Sequence, residues 1–148
     1  MSKKTKKIIE ALEKLLADTY TLYLKTQNYH WNVTGPSFNS LHTLFQAQYE
    51  DMILANDLIA ERIRTLGEKA PGSFKAFLKL TDIKEAEGHP KAVEMVKDLA
   101  RDQEILVASA EAVLKAAQET GDEPTVDLAI QRQQVHQKNQ WMLKAHLE

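Results

Sequence analysis

Residues 42–61 of the chain read HTLFQAQYEDMILANDLIAE, and the order of polar and apolar residues in this stretch decides the fold. A helix turns by about 100° per residue, so residues three and four apart share a face. The apolar residues of the segment and its continuation share one face: Phe45, Met52, Ala55, Ile59, Ile63 and Leu66. The opposite face carries His42, Gln46, Glu50, Asp57 and Glu61. We therefore expect an amphipathic helix whose polar face holds side chains that can bind a metal.

Four long segments of the chain show this helical spacing of apolar residues. They run from about Lys4 to Trp31, from about Phe38 to Leu66, from near Pro90 to Gly121, and from Pro124 almost to Glu148. The last segment has the thinnest apolar stripe, formed by Leu128, Val135 and Met142. At 1.5 Å per residue, each of these helices has a length of roughly 40 Å.

The connections between the segments predict how the helices are arranged. Two connections are short, 33–37 and 121–123, and Ser37 is placed to cap the second helix. The middle connection, 67–89, is long enough to cross the length of a bundle, and Ser73 to Leu80 can form a short helix within it. The predicted fold is all-α: a four-helix bundle with a short extra helix in its long crossover connection.

The composition favours one domain over residues 1–148. Glycine (5) and proline (4) are few, and 43% hydrophobic with 27% charged residues is an ordinary globular balance. Cysteine is absent, which excludes disulfides and cysteine-bound zinc. The sequence has neither a signal peptide nor an apolar run of about 20 residues, which predicts a cytoplasmic protein without membrane contact. The net charge of -2 argues against nucleic-acid binding by the whole chain.

The polar face of residues 42–61 has two interpretations. Most such helix faces are simply solvated. Tyr49 and Ile53, however, lie on or beside this face, and large apolar side chains there suggest a surface that meets a partner. The sequence pattern leaves both interpretations open.

A register argument supports the partner surface. If two copies of the helix pack antiparallel about a two-fold axis, contacting residues have numbers with a constant sum. One register then brings His42 to the partner's Glu61 and Gln46 to the partner's Asp57. One imidazole and two carboxylates with open positions suit Fe(II), Mn(II) or Zn(II). Equal sums arise easily at a spacing of four residues, so the register supports a shared site without proving it.

Several motifs together resemble the signature of the Dps family. The stretch His30-Trp31-Asn32-Val33-Thr34-Gly35 is followed by His42, then by Asp57-Leu58-Ile59-Ala60-Glu61-Arg62, then by Gly67. Both the spacing from His30 to His42 and the spacing from Asp57 to Glu61 agree with the family. The resemblance extends over essentially the whole chain.

The resemblance implies a ferritin-like mini-ferritin that works as a ferroxidase. Twelve subunits would form a homo-dodecamer around an iron-storing cavity, oxidise Fe(II), preferably with hydrogen peroxide, and protect the cell against oxidative damage. The implied ligands and catalytic residues are His30 and His42 from one subunit and Asp57 and Glu61 from its partner. Two iron ions can share each site, and zinc or manganese can substitute for iron.

One implied ligand departs from the family pattern. Dps proteins usually carry Asp or Glu four residues after the second histidine, whereas this chain has Gln46. An amide oxygen can bind a metal, but it is neutral and a weaker donor than a carboxylate. We expect the site to bind iron more weakly at this position while still oxidising it.

Acidic residues near the start of the last helix are candidates for an iron-entry pore. The resemblance implies that Asp122, Glu123 and Asp127 line a three-fold channel, where their combined charge would attract Fe(II). The alternative is ordinary helix chemistry, because acidic residues favour helix N-termini in any protein.

DNA is a second candidate partner. Some Dps proteins bind DNA through a basic tail, and residues 1–7 are a short lysine-rich N-terminal segment here. This segment can either form such a tail or be absorbed into the first helix. A dodecamer would multiply these charges on one surface. The alternative function is therefore a DNA-compacting or structural shell whose metal site is impaired by Gln46. A monomeric helical binding module explains the histidine spacing poorly.

Overall fold

The computed structural model describes residues 1–148 and contains five helices without a strand. They are α1 (Lys3–Asn32), α2 (Phe38–Thr65), α3 (Phe74–Leu80), α4 (Ala92–Thr120) and α5 (Glu123–Ala145). The all-α prediction is confirmed, including the short helix in the long connection. No helix carries an apolar stretch long enough to cross a bilayer.

The N-terminal lysines belong to a helix. The side chain of Ser2 accepts a hydrogen bond from the backbone N–H of Thr5, and α1 begins at Lys3. This cap satisfies one of the free N–H groups at the helix start. The segment 1–7, expected to be a tail, is therefore helical from its third residue onward.

The other helix ends follow local chemistry with two exceptions. Gly121 ends α4 with φ +69°, and the Asp122 side chain caps α5 by accepting from Thr125 N–H. Ser37 occupies the N-cap position of α2, but its side chain makes no capping hydrogen bond. Pro90 precedes α4 without belonging to its first turn, because Lys91 is the N-cap residue.

The helices pack as two pairs, α1 with α2 and α4 with α5, and α1 also packs against α4. The core contains Leu12, Leu15, Tyr29, Phe45, Met52, Ile59, Leu99 and Leu106, all essentially inaccessible to solvent. This interior holds the outer faces of α1 and α2 in fixed positions, and those faces carry the candidate ligands.

The buried face of α5 differs from the predicted stripe. Leu128, Val135 and Met142 are only half-buried. The buried residues are Thr125, Ala129, Arg132, His136, Asn139 and Leu143. Arg132 pairs with Asp51 of α2 at 2.8 Å, and the His136 ring lies 2.7 Å from the Gln103 side-chain oxygen of α4. Polar partners on neighbouring helices, rather than apolar periodicity, set which face of α5 is buried.

A buried carboxylate anchors the crossover connection. Asp18 of α1 is fully buried and accepts hydrogen bonds from the Thr81 hydroxyl at 2.6 Å and the Asp82 backbone N–H at 2.8 Å. Lys14 balances its charge at 2.6 Å, and the Ser109 hydroxyl adds a further bond from α4. These bonds fix the end of α3 against α1.

Candidate metal centre

Two histidines from different helices stack on one another. His30 lies near the end of α1 and His42 in the second turn of α2, on either side of the short 33–37 connection. The ring centroids are 3.8 Å apart with an interplanar angle of 13°. His30 is buried, and His42 is half-buried at the outer face of the bundle.

Each of the two imidazoles forms a hydrogen bond with the backbone carbonyl of the other histidine. The His30 Nδ1 atom lies 2.7 Å from the His42 carbonyl oxygen, and the His42 Nδ1 atom lies 2.7 Å from the His30 carbonyl oxygen. Because a carbonyl oxygen only accepts, each Nδ1 must carry the hydrogen and donate. Each neutral ring therefore keeps the lone pair of its Nε2 atom free. A backbone carbonyl that fixes the tautomer in this way is a common support for a metal-binding histidine.

Aromatic neighbours hold the two rings in place. The Phe38 ring stacks on His42 with a centroid distance of 5.0 Å, and the Tyr49 ring meets His30 edge-on at 5.2 Å. Tyr49 in turn contacts Tyr23 of α1 at 6.0 Å. The histidine pair is thus oriented by packing as well as by hydrogen bonds before any ligand arrives.

The two acidic candidate ligands, Asp57 and Glu61, lie further along α2, one helical turn apart and exposed to solvent. A hydrogen bond between the two carboxyl groups, together with the negative charge of Asp57, raises the pKa of Glu61. The negative charges of the two carboxylates repel each other, and a cation bound between them would offset that repulsion. The chemistry of these donors fits a divalent metal.

The histidines and the acids form two separate half-sites within one chain. His42 and Asp57 are fifteen residues apart on α2, which corresponds to roughly 22 Å along the helix axis. No group of three or more potential metal ligands comes together within the chain. Each half alone offers two donors, fewer than the three or four protein ligands that transition-metal sites in proteins generally use.

Gln46 occupies the position between the half-sites, one turn after His42. Its amide nitrogen Nε2 donates a hydrogen bond to the Glu50 carboxylate at 2.8 Å. The amide oxygen takes no part in this bond.

The surface around the half-sites is unusually apolar. On α2, Leu54 is 70% exposed and Leu58 61% exposed, next to the partly exposed Ile53. On α3, Phe74 is 64% exposed. Large exposed apolar side chains grouped in this way are typical of a protein interface. Sequence reasoning identified Tyr49 and Ile53 but missed these leucines, although their position off the core face of α2 was a usable signal.

The three acidic residues near the start of α5 have different surroundings. Asp122 caps the helix and forms an ion pair with Arg62 of α2 at 3.0 Å. Burial opposes its ionisation, but hydrogen bonds from Thr125 and the charge of Arg62 outweigh burial and lower the pKa of Asp122. Glu123 and Asp127 are exposed, and Asp127 accepts only from the Gln131 side chain at 3.0 Å. The Asp122 carboxylate is thus occupied by contacts that stabilise the fold, whereas the carboxylates of Glu123 and Asp127 face solvent.

The fold and these half-sites define the class of the protein. Residues 9–148 match the family model of the ferritin-like domain. The chain is a ferritin-like four-helix-bundle protein, and the predicted fold class is confirmed.

Relatives narrow this class to one family. The chain is 40% identical to an uncharacterized low temperature-induced protein of Nostoc sp., over 95% of this chain and 80% of that relative. It is 36% identical to DNA protection during starvation protein 2 of Bacillus anthracis, over 96% of this chain and 97% of that relative. A solved structure from Vibrio cholerae O1 is described as a Dps protein and a member of a broad superfamily of ferritin-like diiron-carboxylate proteins. It matches with a TM-score of 0.93 at 36% identity, over 98% of this chain and 91% of that one. The chain belongs to the Dps family, as its motifs indicated.

Proposed function

We propose that this protein is a ferroxidase that oxidises Fe(II) at sites shared between two subunits and stores the ferric product in a shell. The observation that carries the proposal is the stacked histidine pair. Both Nδ1 atoms are bound to backbone carbonyls, so both Nε2 atoms are free to bind a metal. A purely structural histidine pair has no need to leave two Nε2 lone pairs without a hydrogen-bond partner.

The shared site follows from the two half-sites. An antiparallel pairing of two α2 helices brings His30 and His42 of one chain to the partner's Asp57 and Glu61. The same pairing buries Ile53, Leu54 and Leu58, which are exposed in the single chain. Two equivalent sites then form per dimer, with the two-fold axis between them.

The donor set suits ferrous iron as substrate. Two imidazoles and two carboxylates provide mixed nitrogen and oxygen ligation with room for exchangeable ligands, and zinc or manganese can occupy the same site. In the overall reaction two ferrous ions lose one electron each. Hydrogen peroxide takes up both electrons and two protons and gives two water molecules. Removing ferrous iron and peroxide together prevents the formation of hydroxyl radicals.

The shell is proposed to be a homo-dodecamer in the cytoplasm. Twelve chains of 16.8 kDa give a mass of about 200 kDa. Glu123 and Asp127 are proposed to line the entry pores because both carboxylates are exposed. Asp122 would contribute mainly by holding the start of α5 in place through Arg62.

DNA binding is the second candidate function, and one observation favours it. Lys3, Lys4, Lys6 and Lys7 lie in the first two turns of α1, where every copy in a shell would present them together. Relatives of the chain are named for DNA protection during starvation. However, Lys7 forms an ion pair with the Glu119 carboxylate at 3.9 Å, which offsets part of this charge, and Lys4 donates to the Glu119 backbone carbonyl at 3.4 Å. A gel shift at about 50 mM salt would detect binding, which should weaken as salt is added.

Iron loading tests the ferroxidase proposal. The protein is loaded with Fe(II) without oxygen, peroxide is added, and the growth of ferric absorbance is followed. We expect rapid growth in the wild-type protein and slow growth in Glu61→Ala, which loses one acidic ligand of each site. Equal rates in the two proteins would contradict the proposal. Gel filtration of the same samples separates a 12-subunit shell from a monomer.

A further inference from the structure

We propose that Glu50 is a positioning residue for the metal site, because it fixes the Gln46 amide so that its carbonyl oxygen is available to the cation. The inference rests on the proposed function and explains how a neutral amide can serve where the resemblance to the Dps family implies a carboxylate. It assigns a task to a residue that lies outside the four main ligands.

The hydrogen bond determines which way the amide faces. Glu50 lies one helical turn beyond Gln46, and its Oε1 atom is 2.8 Å from the Gln46 side chain. A carboxylate has no hydrogen to donate, so the amide must present its NH₂ group to Glu50. The amide oxygen is therefore directed away from Glu50. Without Glu50, the NH₂ group and the oxygen would exchange positions freely, and half of the orientations would present hydrogens to a cation.

The position of this pair connects it to the half-sites. His42, Gln46 and Glu50 follow one another at intervals of four residues, and residues at this spacing lie one above another on a helix face. Gln46 is thus the neighbour of His42 on the side toward Glu50. In the antiparallel pairing proposed above, the same residue faces the partner's Asp57. The Gln46 oxygen then adds a fifth donor between the histidines of one chain and the acids of the other.

The hydrogen bond to Glu50 also changes the electron density on the Gln46 carbonyl oxygen, the atom that would bind the metal. A hydrogen bond to an ionised carboxylate is stronger than one between neutral groups. It polarises the amide, and the carbonyl oxygen gains partial negative charge. Glu50 therefore makes Gln46 a better ligand for a hard cation. If the hydrogen bond between Gln46 and Glu50 were only an ordinary surface contact on the helix, removing it would leave metal binding unchanged. A measurement of metal binding therefore distinguishes a positioning role of Glu50 from a surface contact without function.

Co(II) titration followed by visible absorption distinguishes them, because the spectrum reports the number and type of donors as well as occupancy. Glu50→Ala should lower the Co(II) affinity by at least about tenfold, the lower end of effects from groups that orient a ligand, and should change the spectrum. In Glu50→Gln the new amide can accept from the Gln46 NH₂ group but can also donate to the Gln46 oxygen, so the orientation of Gln46 is only partly fixed. The Co(II) affinity and spectrum of this variant should lie between those of the wild type and those of Glu50→Ala.

The Gln46→Asp background provides the matched control, since it has no amide to orient. There, Glu50→Ala should change the affinity by no more than about fivefold. A loss of the same size in both backgrounds, or an unchanged affinity and spectrum for Glu50→Ala in the wild-type background, would overturn the role of Glu50. Glu50 is exposed, so each variant should retain the helical circular dichroism of the parent.

The same titration separates failure of this inference from failure of the proposed function. If the wild-type protein binds Co(II), Glu61→Ala does not, and Glu50→Ala binds like wild type, only the role of Glu50 is contradicted. If the wild-type protein fails to bind Co(II), both proposals are contradicted.

Discussion

Leu54 provides a direct test of the paired α2 helices. The side chain is 70% exposed in the single chain and lies between the two half-sites. Complete burial of a leucine contributes about 1.5–3 kcal/mol, so burial of the exposed part contributes roughly 1–2 kcal/mol. The two-fold axis places one copy on each subunit, which doubles this to about 2–4 kcal/mol per dimer.

Leu54→Asp removes this contribution and adds two carboxylates to an apolar interface. We expect the dissociation constant of the dimer to rise by roughly 30-fold to 1000-fold. Sedimentation velocity over a dilution series measures the change, and Leu54→Met is the control that keeps an apolar side chain. Circular dichroism should be unchanged because the residue does not belong to the monomer core.

The same variant links assembly to metal binding. Co(II) binding should disappear together with the dimer, since neither half-site has enough ligands alone. If Leu54→Asp assembles within about threefold of the wild-type dissociation constant, the α2 surface is not the interface and the reasoning is refuted. Retained metal binding in a monomeric variant would refute it equally.

Three further predictions follow from other residues. Asp18→Ala should lower the free energy of unfolding by about 1–3 kcal/mol in urea titrations, because the Ser109 and Thr81 hydroxyls and the Asp82 backbone N–H lose their buried acceptor; a loss below about 0.5 kcal/mol would show that the anchor is unimportant. Burial and the Arg132 charge hold the pKa of His136 well below its usual value. Below the usual pKa of histidine, the His136 imidazole is therefore protonated in the unfolded chain while it remains neutral in the folded chain. Stability should therefore fall as the pH drops below about 6.5, by up to about 1.4 kcal/mol per unit from this residue, and His136→Gln should show a shallower fall; parallel pH profiles would contradict this. Asp127→Asn should slow mineral growth at low ionic strength while initial Fe(II) oxidation at the shared site persists; unchanged growth would count against a role in iron entry.

The fold was largely predictable because its signals are local. The spacing of apolar residues along α2, the glycine at 121 and the proline at 124 placed the helix boundaries to within a few residues. The face of α5 was mispredicted because Arg132 and His136 are buried through partners on other helices. A pairing such as Arg132 with Asp51 joins residues far apart in sequence, and no periodicity contains that information.

The candidate site also has features that the sequence predicted and features that it did not. Residue types and spacing identified His42, Asp57 and Glu61 as potential ligands from the sequence alone. The reciprocal bonds between the His30 and His42 rings and backbones were not predictable, because they depend on how the 33–37 connection folds. The ion pair between Asp122 and Arg62 was also not predicted from the sequence, because Arg62 lies on another helix, far from Asp122 along the chain.

Complementation between two inactive variants tests the shared site most directly. One variant carries His30→Ala and His42→Ala, the other Asp57→Ala and Glu61→Ala, and the two are unfolded together and refolded as a mixture. In a mixed dimer, the histidines of one chain meet the acids of the other at one of the two sites. Random pairing makes half of the dimers mixed, so about a quarter of all sites should bind Co(II) and oxidise Fe(II). Each variant refolded alone should do neither. If the mixture is as inactive as its components, the sites are not shared between chains.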